Sequence, residues 1–463
     1  LKPLLVALLI LIPCTLTRSG DYSKSPDATH AMEMQITDAP YGHILSNVNV
    51  WSPDSQWIVY DTRSDPFGDV FDGQTIEVVN VQSREIRCLY RASHGAHCGI
   101  ATFSSVENKV VFVLGPENPT SDWQYAPWHR RGMMVDMDAK NRLMALDACD
   151  IVPPFTPGAL RGGSHLHVFS GDGRWVVFTY EDHVLATAGP SGRPRDINQR
   201  NIAVSAPFGP VKVANDHPRN HDGSAFSVLV TRTVNHPRPG SDEISRAFEE
   251  GWIGNNGYVK SDGSRQHRAV AFQGNVTTLR GETISEVFVA DIPDDVTVAG
   301  EEPLEGTATT RPAPPRGTYQ RRTTFTADRK YPGLQGPRHW LHSSPDGSQI
   351  GFLMRDDEGI VQIWTVSPNG GQPRQVTRNG FDVASAFSWS PDGNSIAYIA
   401  DNSVFVTEVE TGHTTRQTAR SADSAAPRPQ ACVFSPDGAR IAYVRPVEQD
   451  GKVWNQIFVV SCR

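Results

Sequence analysis

The sequence predicts an all-β protein built as a seven-bladed β-propeller, on three observations. An aromatic–Ser–Pro–Asp–Gly type turn recurs along the 463 residues. Each copy leads into a short alternating apolar strand. The chain supplies one strand too few for its last blade, and a matching strand stands just ahead of the first.

The cleanest turns are Trp389-Ser390-Pro391-Asp392-Gly393 and Phe434-Ser435-Pro436-Asp437-Gly438. Ser344-Pro345-Asp346-Gly347, Trp51-Ser52-Pro53-Asp54 and Phe169-Ser170-Gly171-Asp172-Gly173 follow closely. Degenerate copies at Phe103-Ser104 and at Asp222-Gly223, before Phe226-Ser227-Val228-Leu229, bring the total to seven. Pro presets φ in such a turn, Asp bonds its own backbone, and Gly accepts the positive φ that closes the hairpin. Repeats of about 40–50 residues, each holding several short strands, are the mark of a propeller.

Taken in order, Lys2 precedes the apolar run 4–12, followed by Pro13 and Cys14. That run falls short of the ~20 apolar residues a membrane span requires. Residues 1–20 therefore read as a secretory signal or a lipoprotein signal, which implies export to the periplasm or cell envelope. Membrane attachment follows only if Cys14 is lipidated. Residues 33–463 form one propeller, with strands A to D running outward from the axis and the turn joining A to B. Met34-Gln35-Ile36-Thr37 is the expected D strand of the seventh blade and closes the ring.

Insertions are expected at about 235–265 and 294–338. Residues 241–252 read as a short inserted helix, with an acidic first turn, an apolar stripe of Ile244, Ala247 and Phe248, and Gly251 as its stop. The stretch 294–338, with Pro312, Pro314 and Pro315, reads as an irregular loop. Among the cysteines after Cys14, Cys432 with Cys462 and Cys88 with Cys98 are the bridges an oxidising compartment would allow. A net charge of −8 without long runs argues against nucleic-acid binding through a basic surface.

Chemistry concentrates at Gly162-Gly163-Ser164-His165-Leu166-His167. Strand alternation predicts that His165 and His167 share a side. The antiparallel B strand returns Tyr180, Glu181, Asp182 and His183 to the same mouth of the ring. Counted back from the turn aspartate, His339 occupies the position of His165 and His217 that of His167, and His97 lies near the equivalent place. Asn47, Asn49 and Gln430 make the corresponding positions of other blades polar. Arg130 and Arg131, after Trp123, Tyr125 and Trp128, are candidate contacts for an anion or a sugar.

Several phrases resemble the YidR-type bacterial propellers, a branch of the TolB-like repeats: Gly-Pro-Glu-Asn-Pro at 115–119, Leu160-Arg161-Gly162-Gly163-Ser164-His165 and Met354-Arg355-Asp356-Asp357 among them. The His-x-His phrase is also similar, more distantly, to that of oligogalacturonate lyases, propellers that hold a divalent metal with that pair, a further His and a Gln. Three residues before His165, where that family places its Gln, this sequence has Gly162. Ulvan lyases of propeller fold are similar in broad plan.

The lyase resemblance implies β-elimination on a uronate-containing polysaccharide or oligosaccharide. His165 and His167 would hold Mn²⁺ or Zn²⁺, with His97, His217 or His339 as the remaining ligand, whereas Ca²⁺ would suit only the oxygen ligands of the third reading below. His183 or Tyr180 would act as base, and Arg200 or Arg219 would fix the carboxylate. The second reading is a non-catalytic envelope propeller that binds a protein or glycan. The third is a metal-dependent hydrolase or lactonase using Asn47, Asn49 and acidic residues.

Overall fold

The computed structural model describes residues 32–188, 195–338 and 340–462. The signal segment with Cys14, and His339, lie outside the described residues. Seven four-stranded antiparallel sheets are arranged as the blades of a propeller. Blade 3, for example, runs Gly162–Phe169, Val176–Asp182, Asn201–Ala206 and Phe226–Leu229 from the axis outward. Blade 7 is completed by the first strand of the chain: Glu33–Gln35 pairs with Lys452–Ser461 in the register Glu33↔Val460 and Gln35↔Phe458. The Thr37 hydroxyl donates to Gln456 Oε1 at 2.8 Å just beyond that strand.

The repeated turn works through one polar network. In blades 1, 3, 5, 6 and 7 the Ser hydroxyl donates to the Asp two residues on. The same hydroxyl oxygen accepts the N–H five residues on, at the start of the B strand. Gly173, Gly347, Gly393 and Gly438 take φ of +70° to +77°, and Ser55 takes +59° where blade 1 lacks the glycine. Apolar side chains between the sheets then form a chain of core clusters; Ile58, Val79, Ala442 and Val459 join blades 1 and 7 across the closure.

Four expectations are corrected. Phe226–Leu229 is the outer strand of blade 3, paired Ala203↔Leu229, so Asp222-Gly223 is not a blade-opening turn. The inner strand of blade 4 is Ala247–Trp252, paired Ala247↔Gly274 and Gly251↔Ala271, in place of a helix over 241–252. The stripe of Ile244 and Ala247 is buried between sheets, and strand pairing outweighs a local pattern that fits either period. The only α-helix among the described residues is His183–Ala186. Within 294–338, Tyr319–Arg322 forms the outer strand of blade 4. The cysteines after Cys14 are free thiols, and neither anticipated bridge is formed.

Candidate functional site

The inner strands of blades 2, 3 and 4 share a kink three residues before their closing aromatic. Ile100, Leu166 and Glu249 stand there with φ of +59°, +54° and +56°. In blade 3 His165 pairs with Thr179 but Val168 with Val177, so Leu166 and His167 together oppose one residue. The bulge separates the two histidines that alternation would align. His165 lines a cavity of about 220 Å³ near the axis. His167 turns away and is wholly buried, its ring 5.0 Å from that of Phe178. Neither nitrogen of His167 has a hydrogen-bond partner, and burial pushes its pKa down to about 3.

The axial cavity is built from several blades. Asn47 (blade 1) is buried with both its amide oxygen and nitrogen unpartnered, and the Gln430 (blade 7) amide oxygen is likewise free. Gln430 Nε2 donates to the Phe67 carbonyl at 2.9 Å. Arg63 forms a buried ion pair with Asp61 at 2.5 Å. Arg130 reaches the cavity because loop 115–130, between the B and C strands of blade 2, crosses the start of the blade 3 inner strand. Ser164 N–H donates to the Arg130 carbonyl at 3.2 Å. Gly163 permits the crossing: a Cβ there would stand 2.2 Å from the Pro127 carbonyl oxygen. Arg130 Nε donates to the Tyr125 hydroxyl at 2.9 Å, and Tyr125 stacks on Phe71 with centroids 5.1 Å apart. No carboxylate pairs with Arg130 among the described residues. Burial, then the charges of Arg130 and Arg200, hold His165 well below the ordinary imidazole pKa, so it is neutral.

A second cavity, of about 180 Å³, lies between blades 2 and 3. Beside it His129 Nε2 and His183 Nδ1 are 3.0 Å apart, and Trp123 stacks on His129 at 3.8 Å. The Arg219 guanidinium lies over Trp123, 5.3 Å from the ring centroid, and donates to the carbonyls of Glu117 (2.7 Å) and Asn118 (2.9 Å). His217 Nδ1 accepts the Arg219 N–H at 3.2 Å. Burial, followed by the charges of His129 and His217, lowers the His183 pKa to about 4.

The remaining candidates are dispersed. Tyr180 is 1% exposed and donates to Asp182 Oδ2 at 3.2 Å, which removes it from the mouth. Burial raises its pKa well above 10. Arg200 pairs with Glu181 at 2.8 Å. His97 Nδ1 lies 2.8 Å from Gln74 Nε2, and His217 belongs to the C–D connection of blade 3. The structure thus gathers His183, His217 and Arg219 in one place and leaves His165 in another. His129 went unrecognised in the sequence, since a loop residue has no strand period to mark it.

The donor set expected for a divalent metal does not assemble. His165 and His167 sit on opposite faces of the bulge. At Gly162 a Cβ would come 2.1 Å from the Glu181 carbonyl oxygen, so no side chain fits there, glutamine included. Among the described residues no group of three or more His, Cys, Asp or Glu is placed to hold a metal ion.

The closed ring of seven four-stranded sheets defines a seven-bladed β-propeller, a fold that hosts many unrelated functions. The chain is 47% identical over 424 residues to a protein of Escherichia coli (strain K12) called "Uncharacterized protein YidR", covering 91% of this chain and 95% of that one. It belongs to the YidR family. Residues 97–221, which carry the cavity-lining His129, His165 and His221, match the family described as "Protein of unknown function (DUF3748)". Residues 371–451 match the dipeptidyl peptidase IV N-terminal region. Two solved oligogalacturonate lyases, one in complex with manganese and one from Vibrio parahaemolyticus, each align with a TM-score of 0.54. Their identities are 12% and 11%, over 95% and 94% of this chain and 95% of each of theirs. At that identity the likeness establishes the fold.

Proposed function

We propose that this protein is an exported envelope propeller that takes uronate-bearing glycans into its axial cavity and cleaves them by β-elimination. One observation carries the reading: an Arg130 guanidinium with no carboxylate counter-ion among the described residues faces the same cavity as the neutral imidazole of His165. Arg130 pairs with the uronate carboxylate and stabilises negative charge as the C5 proton departs. His165 takes that proton, the C4–C5 double bond forms, and the C4 glycosidic oxygen leaves with a proton from the solvent-facing mouth. The free amides of Asn47 and Gln430 suit sugar hydroxyls. A lyase of the same fold is known in complex with manganese, but the donor geometry here does not fit a divalent metal, and the proton transfer rests on Arg130 and His165 alone. His165 thus takes the place expected for His183 or Tyr180 as base, and Arg130 that expected for Arg200 or Arg219 on the carboxylate of the axial uronate.

The test is appearance of unsaturated product by ultraviolet absorbance on polygalacturonate or ulvan. Turnover that survives both His165→Ala and Arg130→Ala would refute the assignment. The depressed basicity of His165 favours one alternative, a propeller that binds acidic glycans without cleaving them. Saturable binding at the axial cavity with no product on any uronan would select it.

A further inference from the structure

The axial cavity and the cavity between blades 2 and 3 have one lining residue in common, Arg130. The second cavity carries a cationic surplus of its own. Arg219 has no carboxylate partner among the described residues, and its guanidinium is fixed by two backbone carbonyls and the face of Trp123. Of the other charges lining that cavity, Arg131 is paired with Glu117. Asp147 is 1% exposed, and burial pushes its pKa up to about 7, so near neutral pH it offers only part of a negative charge against Arg219. Trp128 adds an apolar wall of the sort a sugar ring covers. Each cavity is smaller than the ~300–1,000 Å³ typical of sites for drug-sized ligands, so each has room for about one ring.

We infer that the two cavities are consecutive subsites for one acidic oligosaccharide, with Arg130 at their junction, Arg219 holding the carboxylate of the next uronate, and Trp128 flanking its ring. The inference rests on the uronate reading and adds to it a substrate class: chains of at least two adjacent uronates, recognised by two spaced guanidinium groups. A single uronate fills the axial cavity alone. Neutral oligosaccharides lack both anchors and are rejected.

Calorimetric binding of galacturonate, digalacturonate and neutral galactobiose to the full chain tests this. The wild-type protein should bind digalacturonate at least about tenfold more tightly than galacturonate, the gain expected of one charge-assisted contact. Arg219→Ala should abolish that gain and leave galacturonate affinity unchanged, whereas Arg130→Ala should weaken both. Should Arg219→Ala lower the melting temperature, Arg219→Gln carries the test, because its amide still donates to a carbonyl but has no charge. Equal affinities for the two uronates, or a digalacturonate advantage that survives loss of the Arg219 charge, would overturn the inference while leaving the axial site standing. Failure of both uronates to bind the wild-type protein would sink the axial reading as well, and tight binding of galactobiose would refute charge-based recognition.

Discussion

At the scale of single residues, the roles proposed for Arg130 and His165 can be tested one side chain at a time. A guanidinium offers a planar fork that an ammonium cannot copy, so Arg130→Lys should keep only part of the affinity for uronate and Arg130→Ala should lose about 10–100-fold, read as a change in Kd. Burial of neutral imidazoles has a separate consequence for stability. Unfolded histidine takes up a proton near pH 6.5, whereas burial holds His167 at about 3 and His43 and His342 at about 4. The folded state therefore binds fewer protons, so the stability these residues contribute is whole above pH 6.5 and is lost as pH falls toward their folded values. Three carboxyls, the buried Asp147 and Glu250 and the partly buried Glu249, are raised to about 7, 8 and 7 by desolvation, and theirs has the opposite sign: present below the ordinary carboxylate range, lost as pH rises. His167→Gln should make the melting temperature less sensitive to acidification below pH 6.5, removing up to about 1.4 kcal/mol per pH unit. An unchanged pH dependence would show that His167 already carries a proton in the fold.

At the scale of elements, the turn and the bulge differ in how openly the sequence declares them. The Ser-Pro-Asp-Gly turn is local chemistry, and every part of it has a residue type suited to one task. Its blades could be placed from those residues alone. Ser390→Ala should destabilise the protein by about 1 kcal/mol, since it leaves the Ser395 N–H without its acceptor; chemical denaturation would measure this. The bulge has no such signature. Leu166 and Ile100 are ordinary strand residues whose positive φ is imposed by pairing, so the alternation rule put His165 and His167 on one side when the backbone puts them on two. Residues 241–252 misled for a related reason, because a short apolar stripe satisfies a helix and a buried strand equally well. The polar positions Asn47, His165 and Gln430 were legible, because strand starts converge on the axis in any propeller. Arg130 was legible as a candidate anion contact, but the path of loop 115–130 was not, since it depends on a glycine in another blade. Gly163→Ala should push that loop off the inner strand, cost about 1–3 kcal/mol and weaken uronate binding with it. Gly380→Ala, where a Cβ would meet nothing within 4 Å, is the matched control and should be silent in both assays.

At the scale of the whole molecule, the ring is shut by three residues from one end pairing with a strand from the other. A truncation that begins at residue 33 should melt like the longer chain. One that begins at residue 38 should lose the outer strand of blade 7, expose the edge of Lys452–Ser461, lower the melting temperature by at least about 5 °C and promote self-association visible by size-exclusion chromatography. Indistinguishable melting curves would mean that packing between blades 1 and 7, through Ile58 and Val459 among others, suffices to hold the circle.

That clasp also sets a schedule. A ribosome releases Glu33–Gln35 early and its partner Lys452–Ser461 only after nearly all the intervening polypeptide has emerged, so the final contact spans almost the full contour of the chain. Individual hairpins can form as they appear, but the finished circle has to await the last few dozen amino acids.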